Sequence, residues 1–340
     1  MSGYRVSVVG VTGAVGQAML KCLADRKFPV SELVPLASNR SAGKQTLFRN
    51  ESLMIKDLAD HQFGQGEIVI SSAGASTTRT FREKAVAAGA TIVDNTSAYR
   101  LDESVPLVVP EINADQVRNH HGIIANPNCC AAILTVAIWP LYQLSRVRRL
   151  VVSTYQSASG AGAKAMEELK TQCGDILEGR EAVAEVLPHQ AAFNVFSHNS
   201  AIEENGYNGE ENKVVEETRK IFGDPDMGIG VTCVRVPVLR AHSEAVNVEF
   251  EDRVNVESAM EAIAAAPGLE LVDDRDGNRF PMPIDATGRD EVLVGRIRED
   301  QSRKDGRGLE LFISGDQLLK GAALNAVQIA EELIKLNGKG

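Results

Sequence analysis

Cysteine is scarce in this chain. The five residues, Cys22, Cys129, Cys130, Cys173 and Cys233, form no CxxC pair and no zinc-type spacing. An odd, scattered set excludes a disulfide scaffold. Together with a first segment, MSGYRVSVVG, that lacks a signal-peptide layout, it leads us to expect reduced thiols in the cytoplasm. Aromatic residues are only 5% of the chain, too few for the stacking platforms that hold single-stranded nucleic acid. Positive charge is in deficit: 36 Lys and Arg face 46 Asp and Glu, a net charge of -10. Such a balance excludes a general binder of nucleic acid or of anionic membrane surfaces, while leaving room for local sites that take small anions. Long apolar runs are missing too. The longest, Cys129 to Trp139, is closed by Pro140 and falls far short of the roughly 20 residues that cross a bilayer as a helix. No repeat period is visible.

What is present reads as two globular domains in 340 residues, 44% hydrophobic and 24% charged. The segment 4–10 is a strand ending in glycine, and helical spacing follows through Val15, Met19, Leu20 and Leu23. Further strands are expected at 33–37, with Pro35 a candidate irregularity, and at 67–74, 91–97, 106–113 and 122–128. A helix ends at Gly89. Strands alternating with helices predict βαβ units and a parallel sheet. After residue 130 the texture changes. A buried helix (129–144) and a strand (148–159) lead to an amphipathic helix and a looser stretch over 174–210. A helix at 212–222 is then followed by several strands in succession, which predict a mixed sheet. The expected fold is therefore α/β: an N-terminal Rossmann-type parallel-sheet domain over 1–128 and a second α+β domain over 129–316. The C-terminal helix within 317–340 is expected to pack back on the first domain.

Two turns carry chemistry. Gly10-Val11-Thr12-Gly13-Ala14-Val15-Gly16 joins the first strand to the first helix. Gly10 permits the tight exit, Gly13 lets a pyrophosphate approach helix-start N–H groups, and Gly16 lets helix and strand come close. The second strand ends in Ser38-Asn39-Arg40-Ser41 without the acid that binds a ribose 2′-hydroxyl. Arg40 offers a guanidinium fork for a 2′-phosphate, so NADP is the expected cofactor. The second turn, Asn126-Pro127-Asn128-Cys129-Cys130, places a thiol on the first turn of an apolar helix. There the positive end of the helix dipole favours thiolate. A thiolate beside a pyridine nucleotide suits attack on an aldehyde, giving a thiohemiacetal, then hydride transfer to give a thioester, then release of the acyl group to water or phosphate. Cys22, Cys173 and Cys233 read as packing residues.

That chemistry needs an acid/base group and cations. His242 follows a strand that also carries Arg235, with Arg240 on its opposite face if the strand stays regular. The other five histidines, His61, His120, His121, His189 and His198, read as structural, and no metal site is expected. Arg100 follows the strand-turn at 94–99, where loops line a sheet's ligand crevice. Glu210 and Lys213 open a helix; capping is the plain reading of the acid, and the two can share one face.

Taken in order, GVTGAVG, SNRSAGK, SSAGAS, DNTSAYR, NPNC, QSASGAGAKA, EENK, RVPVLRAH and GAALNAVQIAE resemble the aspartate-semialdehyde dehydrogenases, and the resemblance spans nearly the whole chain. It implies reversible NADPH-dependent reduction of L-aspartyl 4-phosphate to L-aspartate 4-semialdehyde, with phosphate as the other small-molecule partner. That step precedes lysine synthesis through diaminopimelate and the synthesis of methionine and threonine. It also implies Cys129 as nucleophile, His242 as acid/base catalyst and Gln156 as a positioning amide, with Asn128 beside the thiol. Arg235 would hold the substrate α-carboxylate, Glu210 its ammonium, and Arg100 and Lys213 its phosphate. Gly10, Thr12, Gly13, Ala14, Val15, Gly16, Ser38, Arg40, Ser41 and Gly74 would bind NADP, joined by Ser159, Gly160 and Gln317 from further along the chain. Two positions depart from the pattern. Gln317 stands where asparagine is frequent, and Cys130 where serine or threonine is common. A homodimer is expected. Two rival readings are an N-acetyl-glutamyl-phosphate reductase, in which Glu210 would lack a purpose, and a non-catalytic NADP-binding redox sensor working through Cys129 and Cys130.

Overall fold

The computed structural model describes residues 3–338. The chain divides into two compact units, Met1–Asn128 with Ala322–Gly340, and Cys129–Gly321. In the first unit, β1 (Tyr4–Val9) enters α1 (Ala14–Asp25), and β2 (Val30–Ala37) is followed by an antiparallel hairpin of β3 (Gln45–Phe48) and β4 (Glu51–Met54). Then come β5 (Lys56–Asp57), β6 (Ile68–Ser71), α2 (Ala75–Ala87), β7 (Thr91–Asp94), the short α3 (Pro110–Asn113) and β8 (Ile123–Ala125). The sheet order is β5-β2-β1-β6-β7-β8, with every pairing parallel. Its strands β6 and β8 are buried throughout, the continuous apolar pattern of a sheet covered on both faces.

In the second unit, α4 (Cys129–Leu144) is apolar nearly all round and buried from Cys130 to Ile138, as a helix inside a core must be. It leads to β9 (Val147–Gln156), α5 (Ala163–Leu177), β10 (Phe196–Ser197), α6 (Gly209–Phe222), β11 (Gly228–Arg235) and β12 (His242–Phe250). The remaining elements are α7 (Val256–Ala265), β13 (Leu269–Leu271), α8 (Pro283–Ala286), β14 (Val292–Glu299) and β15 (Gly308–Gly315). The sheet order is β10-β11-β9-β12-β15-β14-β13, mixing parallel and antiparallel pairs. Gly315 lets α4 settle on this sheet, since a Cβ there would stand 3.0 Å from Ile133. The last helix, α9 (Leu324–Asn337), belongs to the first unit. Its Asn325 donates to Val108 O at 2.9 Å and to Asn126 Oδ1 at 2.6 Å.

The expected architecture, a parallel-sheet unit plus an α+β unit with a mixed sheet, is the one observed. Local differences have local causes. Residues 106–113 do not form a strand: Leu107 makes one isolated bridge to Ala125. Pro110 then starts a helical turn, while the Asn113 side chain holds Val109 N and Leu107 O. Pro35 causes no irregularity, for it faces Val8 in an unbroken stretch of the ladder. The second unit runs to Gly321 rather than 316, because Gln317 accepts from Ala241 N and donates to Ser159 Oγ.

Candidate functional site

In the first unit the strand order reverses between β1 and β6, and the loops after both strands meet there. Gly10 has φ +84, a conformation glycine adopts freely, and a Cβ on it would stand 3.0 Å from Ala73 N. Gly16 is more constrained still, since a Cβ there would lie 2.3 Å from Gly10 O. The glycines thus bring the β1 exit against the start of α1 and leave Thr12 and Gly13 exposed at the helix N-terminus. Ala14 and Val15 form the first turn of α1. Gly74, with φ +96, opens α2 beside them, where a Cβ would meet open space. Ser38 and Arg40 are exposed in the turn after β2, and Ser38 O receives Ser41 N at 2.8 Å. A crevice beyond the carboxyl ends of parallel strands at such a switch point is where dinucleotides bind in this architecture. Arg100 is buried. It donates to Asn126 O at 2.8 Å and to Asn95 O at 2.9 Å, tying the loops after β7 and β8 together. Asn128 is buried at the end of the β8 loop.

In the second unit, β9 and β11 run parallel and end side by side at Gln156 and Arg235, while β12 begins at the same edge with His242. Cys129 opens α4, and Gly321 makes room for it, since a Cβ there would lie 2.8 Å from the Cys129 Cβ. The sulfur atoms of Cys129 and Cys130 and a ring nitrogen of His242 lie within 4.8 Å of one another. The Cys129 thiol is held well below the usual thiol range. The Cys130 thiol hydrogen-bonded to it contributes most, against the opposing cost of burial, and His242 contributes further. Cys130 is pushed the other way by the same hydrogen bond and by burial.

The surrounding groups are locked by their own hydrogen bonds. Gln156 is buried; its Nε2 donates to Glu210 Oε1 at 3.2 Å, and its Oε1 accepts from Thr154 at 3.2 Å. Lys213 Nζ reaches Glu210 Oε2 at 3.2 Å. Helix capping falls to Asn208 with Glu211, which form a reciprocal capping box; Glu210 is left to face Gln156 and Lys213. Arg235 donates to Ser157 O at 3.2 Å and to Asn199 Oδ1 at 3.3 Å, and its third nitrogen meets His198 Nε2 at 2.9 Å. A Cβ on Gly160 would stand 3.1 Å from both Arg235 Nη1 and His242 Nε2, so the glycine keeps the space over both groups open. Arg240 lies beyond the end of β11 and is committed to the buried Asp316, with Nε 2.9 Å from Oδ2. The expected alternation of the two arginines along one strand therefore does not arise.

Three residues that sequence reasoning passed over belong to this cluster. His198, read as structural, faces Arg235, and its pKa is driven down to about 4, chiefly by burial. Ser157 donates its backbone N–H to His242 Nδ1 at 3.0 Å and places its hydroxyl 3.1 Å from the same atom. Glu244 is fully buried, and burial together with the nearby Cys129 pushes its pKa well up, with a hydrogen bond from the Cys130 side chain working against them. The HSE sequence held a signal for Glu244, an acid two residues from His242 on a strand, but nothing local marks His198 or Ser157.

An apolar helix that opens on an acidified thiol, with a histidine and a buried cation-anion set around it, can attack a carbonyl carbon and hold a small zwitterionic or anionic acyl group. Among the described residues no helix is long and apolar enough to cross a membrane. Residues 5–120 match the family model described as semialdehyde dehydrogenase, NAD binding domain, and residues 138–320 match semialdehyde dehydrogenase, dimerisation domain. An aspartate-semialdehyde dehydrogenase of Synechocystis sp. is 57% identical over 334 residues, covering 98% of each chain. That of Bacillus subtilis is 43% identical over 343 residues, covering 98% of this chain and 99% of its own. The crystal structure of aspartate semialdehyde dehydrogenase II from Vibrio cholerae, complexed with ASA, superposes with a TM-score of 0.95 at 41% identity, covering 98% of this chain and 99% of that one. The glycine turn, the helix-start thiol and these whole-length likenesses lead to one conclusion: the chain belongs to the aspartate-semialdehyde dehydrogenase family.

Proposed function

We propose that this protein catalyses the reversible, phosphorylating oxidation of L-aspartate 4-semialdehyde with NADP, working biosynthetically as the NADPH-dependent reduction of L-aspartyl 4-phosphate. The single observation that carries this reading is the acidified Cys129 at the start of α4, within 4.8 Å of a His242 ring nitrogen. NADP supplies the hydride acceptor or donor when bound. The positive φ of Gly10 and the close approach at Gly16 make a backbone cradle that fits a pyrophosphate. Gly10, Thr12, Gly13, Ala14, Val15, Gly16 and Gly74 would hold it, Ser38, Arg40 and Ser41 its 2′-phosphate, and Ser159 and Gly160 its nicotinamide end. Gln317 is buried with both ends of its amide engaged by Ala241 and Ser159, which favours a supporting role for it over direct contact.

In the reductive direction the Cys129 thiolate attacks the acyl carbon of aspartyl phosphate. Phosphate leaves and a thioester remains on the sulfur. Reduction of the thioester gives a thiohemiacetal, whose oxygen takes a proton from His242 as the acid/base group. His242 takes that proton back as the C–S bond breaks, freeing the aldehyde and restoring the thiolate. Gln156, fixed by Thr154 and Glu210, positions the acyl group, with Asn128 next to the thiol in the chain. Arg235 forks the α-carboxylate, Glu210 takes the α-ammonium, and Arg100 and Lys213 take the phosphate. The product feeds lysine synthesis through diaminopimelate and the synthesis of methionine and threonine. The match to a dimerisation domain supports a homodimer. The five cysteines, none in a disulfide among the described residues, accord with a reducing cytoplasm.

The test is direct. The protein is mixed with NADP, phosphate and aspartate semialdehyde, and the absorbance of reduced nicotinamide is followed. Phosphate-dependent turnover is expected. Turnover only with N-acetylglutamate semialdehyde transfers the chain to the sibling chemistry, and no turnover with either removes the enzyme reading in favour of a sensor.

A further inference from the structure

The partners of His242 fix which of its ring nitrogens carries hydrogen. Ser157 N is a backbone amide and can only donate, so His242 Nδ1, 3.0 Å away, must accept. The direction of a longer chain of side-chain hydrogen bonds follows in the same way. Ala241 N donates to Gln317 Oε1 at 2.9 Å, which fixes the orientation of that amide. Gln317 Nε2 then donates to Ser159 Oγ. Having accepted there, the Ser159 hydroxyl has its hydrogen to give to Ser157 Oγ, 2.9 Å away. The Ser157 hydroxyl in turn has its own to give to His242 Nδ1 at 3.1 Å. Every link points the same way, and both donors at the end of the chain meet one lone pair.

The chain also has a mechanical anchor. Ala241, the residue before His242, has φ +70, a left-handed conformation that residues with a Cβ rarely adopt. Its N–H is held by the same Gln317 that starts the hydrogen-bond chain. At the other end, His242 Nε2 is buried and faces the space left open by Gly160.

We propose that Gln317, Ser159 and Ser157 are positioning residues that lock His242 in the tautomer with hydrogen on Nε2, so that the ring offers a hydrogen-bond donor, not a lone pair, to an oxygen bound beside Cys129. The proposal deepens the function given above and rests on it for the identity of that oxygen. It means that the resting histidine does not take the proton of the Cys129 thiol through Nε2. It also gives Gln317, where the family pattern favours asparagine, a task inside the protein: its amide bridges from the Ala241 backbone to Ser159.

Nitrogen-15 NMR of the full-length protein labelled in histidine reads the tautomer without any turnover. His242→Asn identifies the signals. The expected wild-type pattern is a pyridine-type Nδ1 and a pyrrole-type Nε2; the reverse pattern overturns the proposal. Gln317→Glu keeps the shape but gives an acceptor at both ends. Ser159 then donates to the carboxylate, Ser157 donates to Ser159, and Nδ1 keeps only the amide. The Nδ1 resonance should move in the direction of a weaker hydrogen bond. kcat should fall about 2–10-fold with KM little changed, the size of one neutral hydrogen bond. Should the buried carboxylate prevent folding, Ser159→Ala interrupts the chain without a charge and is expected to move Nδ1 in the same direction. An unmoved Nδ1 in a folded variant overturns the chain. Failure of the turnover assay with the expected wild-type NMR pattern would remove the proposed reaction and leave the tautomer lock standing, so the two failures are distinct.

Discussion

Each unit buries a histidine beside a serine hydroxyl, and the two are wired in opposite senses. In the first unit, His61 Nε2 lies 2.9 Å from Glu67 Oε1 and 3.4 Å from Ser7 Oγ. Glu67 also accepts from Gly64 N at 2.9 Å and from Arg5 at 3.1 Å. Burial works to raise the Glu67 pKa, but the hydrogen bonds from His61, Ser7 and Gly64 outweigh it and the group is held below the usual carboxylate range. In the second unit, His242 Nδ1 receives the amide and hydroxyl of Ser157, and the buried acid nearby, Glu244, has its hydrogen bond from the Cys130 side chain and not from the histidine. The contrast shows how residue types that look alike divide between structure and chemistry. A histidine spent on a satisfied carboxylate is a piece of the core. A histidine fed by neutral donors on one nitrogen keeps the other for a substrate.

The largest expected break between the units comes at the thiol. Cys129→Ala should abolish turnover while leaving NADP binding intact, because cradle and thiol are carried by separate units; a binding titration beside the absorbance assay checks both halves. Retained turnover would move the nucleophile to Cys130. The next contrast pairs the histidines. His242→Asn is expected to lower kcat by about 10²–10⁴-fold with the unfolding midpoint in urea little changed. His61→Asn should leave kcat within about threefold and cost about 1–3 kcal/mol of stability, since Glu67 loses a donor while buried. An exchange of these two outcomes would undo the comparison.

A smaller effect is expected at Arg40, exposed in the turn after β2. Arg40→Asp should lower the NADP-over-NAD ratio of kcat/KM by about 10–100-fold, the size of a hydrogen bond to a charged group, without altering the alkylation rate of Cys129. An unchanged ratio would acquit Arg40 of reading the 2′-phosphate. The smallest effects are the pH slopes of the two buried acids. Glu67 has a depressed pKa, so its stabilisation is present above the usual carboxylate range and is lost as the pH falls through its folded value. Glu67→Gln should therefore weaken the fold at neutral pH and flatten the acid limb of stability. Glu244 has a raised pKa, so the folded protein holds a proton that the unfolded chain releases. Stability then falls as the pH rises from the usual carboxylate range toward the raised value. Glu244→Gln should remove that fall and gain stability at neutral and alkaline pH. Urea midpoints measured across pH for both variants test the opposite signs.

Much of this molecule was legible from local pattern. The strand-glycine-helix passage at Gly10 to Gly16 was readable because only glycine tolerates the φ of Gly10 and the approach at Gly16. The helix beginning at Cys129 was readable because an apolar run follows a proline turn. Harder to read were elements whose neighbours lie far along the chain. The hairpin of β3 and β4 and the helix α7 carry weak periodic signals and went unnoticed. The stretch 106–113 looked like a strand by its valines, yet prolines and the Asn113 side chain turned it into a loop and a helical turn. The loose segment 174–210 gained its order from two side chains of α5. Glu168 accepts three backbone amides from 185–187, and Gln172 accepts those of Ala191 and Ala192.

By itself the sequence determined the two kinds of sheet, the glycine cradle and the thiol at a helix start, since each depends on residues a few positions apart whose backbone preferences act locally. Only the tertiary structure decided what His242, Arg235 and Cys129 would face. Ser157 and His242 are 85 positions apart, and Ser159 and Gln317 are 158 apart. They meet because β9 and β12 pair in one register and the residues after β15 return to the same edge of the sheet. The direction of a hydrogen bond, and with it the hydrogen on a histidine nitrogen, is set by such meetings and by nothing that neighbouring residues in the chain can specify.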